Sequence, residues 1–585
     1  MRKSVNEKSV KMNRRDFLKG ALATGAVAAA AGSGGMLTGC APKSSAASDG
    51  EVVLDADSYT KATWSFEVPP EPIPAESISE TVEAEIVIVG AGTSGLVTGM
   101  AAAENGVDVC VIASSDKPVS RGGSNAAFNS KLQKELGREF PLEEAKKYFQ
   151  EEFAAASFRI DQDKWWDFYN YSGEAIDWLS SKMADYGIQT VLENTHTDPD
   201  GSLSIPSFSH TFITKEHPEA GASQQVAVEA MAEEIVKLGG RIDYTTTAEQ
   251  LEKDSSGRVV AAIAKKDGSY VRYVGRRGVV LATGDFSMDK DMVAKYCPIA
   301  LPYGLGGVFD GSGHKMGLWA GAAWQKYTPN APMIVTMGDE VLPCRWWAEG
   351  AGTTFQGLLV NNKGLRYGDE DSLYGYQCWP QKVQPGGYSF LIWDDKWVEN
   401  SAPWQGDYIG APDRDTQEIY DKIKGIFVSD AGSKATDEYA GFNASMGTAV
   451  MADTLEELAE GLGFEGQAKE DFLAQVERYN QYCATGVDEE FHKAKRLLLP
   501  VVSPPFYGVK NEPYTLCITG GLNVNRNQEV CDENNDPIPG LYGVGTIIGD
   551  VIGDTYNFRI WGHNLGCNCV TAGHRLGTRF GETGK

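Results

Sequence analysis

The chain contains ten cysteines, yet no two of them form a CxxC pair. Haem c attachment through CxxCH is therefore excluded, as are the usual zinc and ferredoxin spacings. No metal-ligand set is assigned, although an iron–sulfur site built from scattered cysteines stays open. Cys567 and Cys569 lie two apart on a helical pattern, where neighbours at that spacing do not face each other. Positive charge is also scarce: 53 Lys and Arg stand against 80 Asp and Glu, a net of −27. This balance argues against nucleic acid as a partner, because a phosphate backbone needs a basic face. Solubility is the simplest reading of the acidity, and docking of a basic redox partner is a second. Long apolar runs are missing too. The mildly apolar stretch from Gly20 to Met36 is too glycine-rich and too short for a good membrane-spanning helix.

What is present begins with a targeting segment, residues 1–40. Asn13-Arg14-Arg15-Asp16-Phe17-Leu18-Lys19 resembles a twin-arginine signal, and Leu37-Thr38-Gly39-Cys40 resembles a lipoprotein processing box. Lipid on Cys40 would tether the mature protein outside the cytoplasmic membrane; plain cleavage nearby would release a soluble exported protein. The twin-arginine route carries folded proteins, which suits a chain that loads a cofactor before export. Residues 41–80 are rich in Ser, Ala and Pro and read as a linker. At 585 residues the chain is too long for a single core.

The stretch from Ala84 to Ala113 organises the rest of the chain. A β-branched run, Ile86 to Val89, meets Gly90-Ala91-Gly92-Thr93-Ser94-Gly95, a complete GxGxxG. A small-residue helical pattern and a second apolar run, Val107 to Ala113, close a βαβ-sized unit. In a dinucleotide fold Gly90 turns the chain out of the strand, Gly92 admits a pyrophosphate, and Gly95 lets the helix pack closely on the sheet. The helix N-terminus offers free N–H groups to the phosphates. The acidic residue that normally ends the second strand is missing: its place falls on Ala113, followed by Ser114, Ser115 and Asp116. The serine hydroxyls or Asp116 are the available replacements.

Further along, Arg121-Gly122-Gly123-Ser124-Asn125 is a turn through which backbone can approach a ligand. Helical patterns cover Leu142 to Leu179 and Ala222 to Gly239. Strand patterns cover Ile242 to Thr247, Val259 to Ala264, Tyr270 to Val274 and the run into Thr283-Gly284. Together with DGSGHKMGLWAGA (Asp310 to Ala322), LLVNNKGLRYGDED (Leu358 to Asp371), ITGGLNVN (Ile518 to Asn525), IPGLYGVGT (Ile538 to Thr546) and HNLGCN (His563 to Asn568), this order of motifs resembles the FAD-dependent fumarate reductase and 3-ketosteroid dehydrogenase flavoprotein superfamily.

The resemblance implies an α/β fold, with a Rossmann-like FAD-binding domain split into residues 81–325 and 503–585. An inserted α+β capping domain would span 326–502. It implies non-covalent FAD held by Gly90, Ala91, Gly92, Ser94, Gly95, Ser114, Gly122, Gly123, Ser124, Ala248, Thr283, Gly284, Asp310, Gly545, Asn564 and Leu565. The last helix, from Gly562 to Gly577, would aim its N-terminus at the flavin. The fumarate clamp is not retained: Cys517 stands at the histidine position before the family's TxGG, Asn564 at the arginine of NRLGGN, and Val398 near a further arginine. Of the Arg–Glu–Arg proton relay only Glu370 is recognisable, and none of the seven histidines stands in an HPT context. A less charged, ring-containing substrate is implied, since a buried dianion needs compensating cations.

The interval 326–502 carries Trp346, Trp347, Trp379, Trp393, Trp397 and Trp404 with Tyr374, Tyr376 and Tyr388, as well as helical patterns at Asp415 to Ile426 and Thr454 to Cys483. Its aromatics suit a pocket or a core equally. Candidate catalytic residues are Tyr556, as proton donor or carbonyl polariser, Arg559, as a permanent cation, and Glu370, as a relay. The favoured activity is reduction of a small-molecule alkene with electrons from a membrane or cytochrome partner. The alternatives are a ketosteroid-type dehydrogenase and a non-enzymatic flavin electron carrier.

Overall fold

A computed structural model describes residues 63–585, except 121, 194–195, 198–203, 206–207, 217–223, 302–303, 306–307, 337–356, 371–379, 397–398, 400–448, 512, 555, 557–558 and 583–585. Strand β1 (Ile78–Val89) runs into the Gly90 turn, helix α1 (Thr93–Glu104) follows, and β2 (Val109–Ile112) lies parallel to β1. Next come β3 (Asn125–Ala126), α2 (Leu142–Ala155), α3 (Gln162–Asp185), β4 (Gln189–Leu192), β5 (Ser209–Ile213) and α4 (Gln224–Lys237). The helical pattern from Leu142 to Leu179 is therefore two helices. Ser157 and Phe158 adopt left-handed φ values of 52° and 57°, and Asp161 caps α3 by accepting from Asp163 N.

Four strands then extend the sheet: β6 (Arg241–Asp243), β7 (Thr246–Lys253), β8 (Val259–Lys266) and β9 (Ser269–Leu281). Later elements are β10 (Ala331–Thr336), β11 (Leu358–Asn361), β12 (Ser389–Asp394), β13 (Ala449–Ala452), α5 (Leu455–Gly461), α6 (Gln467–Thr485), β14 (Phe506–Asn511), β15 (Pro513–Thr519), β16 (Glu529–Cys531) and β17 (Pro537–Gly543). The chain closes on a π-helical stretch, Asn564–Thr571, that continues into α7 (Ala572–Glu582).

The main sheet has the order β16-β17-β9-β1-β2-β6, with β8 on β9 and β7 on β8. β17, β9, β1, β2 and β6 are mutually parallel, so their carboxyl ends share one edge. Register aligns Val89 with both Leu281 and Ile112, and Leu281 with Gly543. Gly90, Ala113, Ala282 and Val544 thus leave the sheet side by side, which is where open α/β sheets bind ligands. Alternation of side chains sends Val87, Val89, Val279 and Leu281 to one core and Ile86, Ile88, Val111 and Val280 to the other.

A second, antiparallel sheet has the order β11-β12-β14-β13 and packs Leu358, Val360, Phe390 and Ile392 against Phe472, Val476 and Tyr479 of α6. β10 and β15 pair separately. Two of these pairings run across the expected boundaries. β14 belongs to the second sheet although it follows residue 503, and β10 pairs with β15 although it follows residue 326. The sheets change hands at residues 511–513, where two apolar strands abut. Within the expected linker, 41–80, residues near Phe66 are packed. Phe66 is buried against Phe286 and Tyr296, Trp319 Nε1 donates to Phe66 O at 2.8 Å, and Lys295 pairs with Glu67.

Candidate active site

The glycine turn is shaped by contacts that admit no side chain. Gly90 has φ +118°, and a Cβ there would sit 2.3 Å from Ala282 O. A Cβ on Gly95 would sit 2.0 Å from Gly90 O. These two glycines are required by the fold, whereas Gly92 faces open space, with only Val119 O at 3.6 Å from a Cβ. Gly92 is also the N-cap residue of α1, so backbone N–H groups face that opening. Thr283 lies at the same edge, and its Oγ1 is buried without a partner among the described residues. The open Gly92 turn fits a bound dinucleotide, whereas the Thr283 hydroxyl abuts Gly313, on which a Cβ would lie 2.0 Å from it. Gly545, with φ +86°, closes onto Ser94, whose Oγ would lie 2.5 Å from a Cβ.

The other expected contacts divide. Ala91 is buried beside the turn, Ala248 is buried on β7 opposite Ala264, and Gly284 packs on Phe309. Asp310 is exposed, and its Oδ1 accepts from Ser312 N at 3.0 Å. Ser114 and Asp116 are exposed beyond β2, and both backbone polar groups of Ala113 are spent on Asp243 O and Thr246 N. Asp243 is the nearby carboxylate. Burial opposes its ionisation, but Arg241, Tyr273 and Lys266 outweigh that and hold it below the usual range.

Gly122, at φ +75°, faces Leu565, while a Cβ on Gly562 would lie 2.5 Å from Ser124 O and one on Gly566 1.9 Å from Ala126 O. The start of the last helix is therefore pressed onto the Gly122–Ser124 turn and β3. Its later glycines let α7 lie against α1: Cβ atoms on Gly573 and Gly577 would meet Ser94 O at 3.0 Å and Thr98 O at 2.5 Å. The expected helix is present, but its first turns, which carry Cys567 and Cys569, are π-helical.

Tyr556 sits at this helix start, buried at 6% exposure. Its hydroxyl accepts from Asn564 N at 3.3 Å. Asn564 Nδ2 donates to Thr546 Oγ1 at 3.1 Å, and Asn568 Nδ2 donates to Asn564 Oδ1 at 3.0 Å. Burial pushes the Tyr556 phenol well above its ordinary range; the Asn564 N–H opposes this, and the nearby Cys517, Cys569 and Cys567 thiols add to it. Tyr556 is therefore an acid at all moderate pH values. Burial raises the Cys569 thiol to about 12.

Arg559 and Glu370 are each engaged elsewhere. Arg559 pairs with Glu151 at 2.9 Å and Glu152 at 2.7 Å, both on α2, and lies over the Tyr148 ring at 4.7 Å. Its charge is offset rather than presented as an isolated cation. Glu370 is buried in the second sheet's layer. Arg366 grips it in a fork, Nε to Oε1 at 2.7 Å and Nη2 to Oε2 at 2.6 Å. Lys493 Nζ is 3.5 Å from Glu370, and Arg366 also holds Asp488 at 2.9 Å. Sequence reasoning singled out none of Arg366, Asp488 or Lys493, nor Glu193 and Trp561, which bond to Ser124. Arg366 does fall within the LLVNNKGLRYGDED motif; the other partners carry no local signal. Trp393 stacks on Tyr507 at 5.5 Å and Tyr388 packs on Phe390 at 5.7 Å. Trp346, Trp347, Trp379, Trp397, Trp404, Tyr374, Tyr376, Val398 and the 415–426 helix lie outside the described residues.

Comparison with known proteins agrees with this geometry. Residues 85–557 match a family model described as FAD binding domain, and residues 11–31 match that of the TAT (twin-arginine translocation) pathway signal sequence. The chain is 26% identical to vinyl phenol reductase of Lactiplantibacillus plantarum, over 83% of this chain and 93% of that protein. It is 26% identical to digoxin reductase of Eggerthella lenta, over 95% and 96% respectively. Its fold resembles 3-ketosteroid delta1-dehydrogenase from Sterolibacterium denitrificans, with a TM-score of 0.65, 18% identity and coverage of 86% and 100%. The signal indicates export across the cytoplasmic membrane. Among the described residues no helix is long and apolar enough to cross a membrane.

Proposed function

Since the chain belongs to the FAD binding domain family and is an FAD-dependent oxidoreductase acting on CH–CH bonds, we propose that it is an exported reductase of an activated alkene. The substrate class is an enone or enoate, ring-containing and not a dicarboxylate. The observation that carries this reading is the buried, protonated Tyr556 on the first N–H of the last helix. Asn564 and Cys517 stand beside it where a carboxylate clamp would need cations.

When bound and reduced by the electron donor, FAD would supply a hydride to one alkene carbon. Tyr556 delivers a proton to the other, so hydride and proton together saturate the bond. Asn564 orients the Tyr556 hydroxyl through its N–H, and Thr546 and Asn568 hold the Asn564 side chain. The open turn at Gly92, shaped by Gly90 and Gly95, holds the diphosphate end, and Gly122, Gly123, Ser124 and Leu565 line the ring. The second sheet with α5 and α6 is the capping layer that keeps water from the reacting carbons.

The two reductases matched along most of their length support the reductive direction. The reverse reaction, introduction of a C=C bond, is the second reading, and the partial match to a 3-oxosteroid 1-dehydrogenase, 28% identical over 48% of this chain, supports it. A capping layer argues against a pure electron carrier, which needs an exposed flavin edge. Electrons come from a membrane or cytochrome partner in this reading. Cys40, the site of the lipid tether, lies outside the described residues.

Anaerobic turnover with reduced viologen against enones, enoates and cinnamates tests the proposal. Oxidation of viologen by at least one alkene is expected. Consumption of none supports a carrier, and preference for the saturated partner with an artificial acceptor supports the dehydrogenase. Acid precipitation is a separate check on the cofactor. No attachment motif is evident, so the yellow colour is expected in the supernatant; colour held in the pellet means a covalent link.

A further inference from the structure

We propose that Glu193 is a positioning residue for the flavin ring, acting through Ser124 to fix the gap between the two turns that flank it. A closed ring of hydrogen bonds carries this. Ser124 Oγ donates to Glu193 Oε1 at 2.7 Å, and Glu193 N donates to Ser209 O at 2.9 Å. The Ser209 hydroxyl donates to Trp561 O, and Trp561 Nε1 donates back to Ser124 Oγ at 2.8 Å.

The direction of each bond follows from chemistry. An indole N–H only donates and a backbone carbonyl only accepts. Trp561 therefore occupies an acceptor site on Ser124, and the single Ser124 proton points at Glu193. A hydroxyl-to-carboxylate bond of this length is charge-assisted and strong. Glu193 is 2% exposed, Ser209 3%, and Trp561 part-buried, so water competes little for the ring.

The ring joins segments that are far apart in sequence. Ser124 ends the Gly122–Ser124 turn, and Trp561 precedes Gly562 at the start of the last helix. Ala126 N donates to Gly562 O at 3.2 Å alongside. Both turns belong to the set that holds the flavin, so the spacing of that slot is set by the Glu193 link. A change in that spacing alters how the ring is seated between the two turns and so alters its potential. The inference rests on the FAD site alone and is independent of which alkene is reduced.

The test uses the full chain loaded with FAD. Wild-type flavin content is measured first, so failure of the cofactor assignment is seen separately. Glu193→Gln keeps the shape and an acceptor oxygen but removes the charge. A changed flavin midpoint potential and a shifted visible absorption band are expected, and an unchanged potential with an unchanged spectrum overturns the proposal. Ser124→Ala cuts the same link and is expected to reduce FAD retention several-fold on gel filtration. In Ser124→Ala/Glu193→Gln the potential should move no further than in the more affected single variant, because both changes break one ring. Strictly additive shifts overturn the proposal, as does full FAD retention by Ser124→Ala.

Discussion

Arg366→Met is expected to destabilise the protein by about 3–5 kcal/mol, the usual result of removing one partner from a buried ion pair. Arg366, Glu370, Asp488 and Lys493 have side chains at 0–1% exposure. Two cations and two carboxylates balance there, and the Arg366 guanidinium lies over the rings of Tyr479 and Phe491 at 5.1 Å each. Methionine fills much of the volume but takes the guanidinium fork from Glu370 and the ion pair from Asp488. Two buried carboxylates then lose the cation that joins them, which is the costly case. Denaturant melts of the FAD-loaded protein measure the loss; a change under about 1 kcal/mol would mean that the cluster is solvated.

The same cluster gives stability a pH dependence with a definite sign. Burial opposes ionisation of Asp488, but the Arg366 hydrogen bond, the Lys493 and Glu490 N–H groups and the Arg366 charge outweigh it and lower its pKa to about 2. An unfolded Asp titrates near about 3.9. A folded value below the unfolded one contributes stability that is complete above about pH 4 and disappears as pH falls through about 2. In Arg366→Met this part of the acid transition moves to higher pH, because the carboxylate has lost the partner that depressed it.

The reading of Glu370 shows where sequence inference ended. Its motif is local, and so was the comparison with a proton relay. Its ionic partners include Arg366, four residues away, and Lys493, which comes much later in the chain. Arg559 failed to stand alone for the same reason: Glu151 and Glu152 come from α2, about four hundred residues earlier. By contrast, the β1–Gly90–α1–β2 unit was legible because its signals are close together in sequence: a buried strand, the GxGxxG spacing and a small-residue helix, although the contact that forbids a side chain at Gly90 is with the distant Ala282 O.

Differences of extent had local causes. Ser157 and Phe158 break the α2–α3 pattern with neither glycine nor proline to mark the break. A lone residue separates β14 from β15, so no loop signals the change of sheet. Phe66, in a Pro- and Ser-rich stretch, docks through one aromatic side chain that composition does not weigh.

Tyr556→Phe is expected to lower kcat by roughly 10²–10⁴-fold, the range for losing a positioned general acid. The substitution removes one oxygen from a residue at 6% exposure and leaves the ring packing intact. Asn564 N loses its acceptor, which costs about 1 kcal/mol of local stability. FAD content should stay at the wild-type level, since the glycine turns are untouched. The pH profile separates proton delivery from simple orientation. Because burial holds the phenol above its ordinary range, the wild-type rate should show no alkaline loss from Tyr556 until above about pH 10. In deuterium oxide the wild type should show a solvent isotope effect on the half-reaction that consumes the alkene, and the variant's residual rate should not share its pH dependence. A variant that matches wild-type turnover on the same alkene would remove Tyr556 from the chemistry and leave the proton to come from water or from another side chain around Cys517.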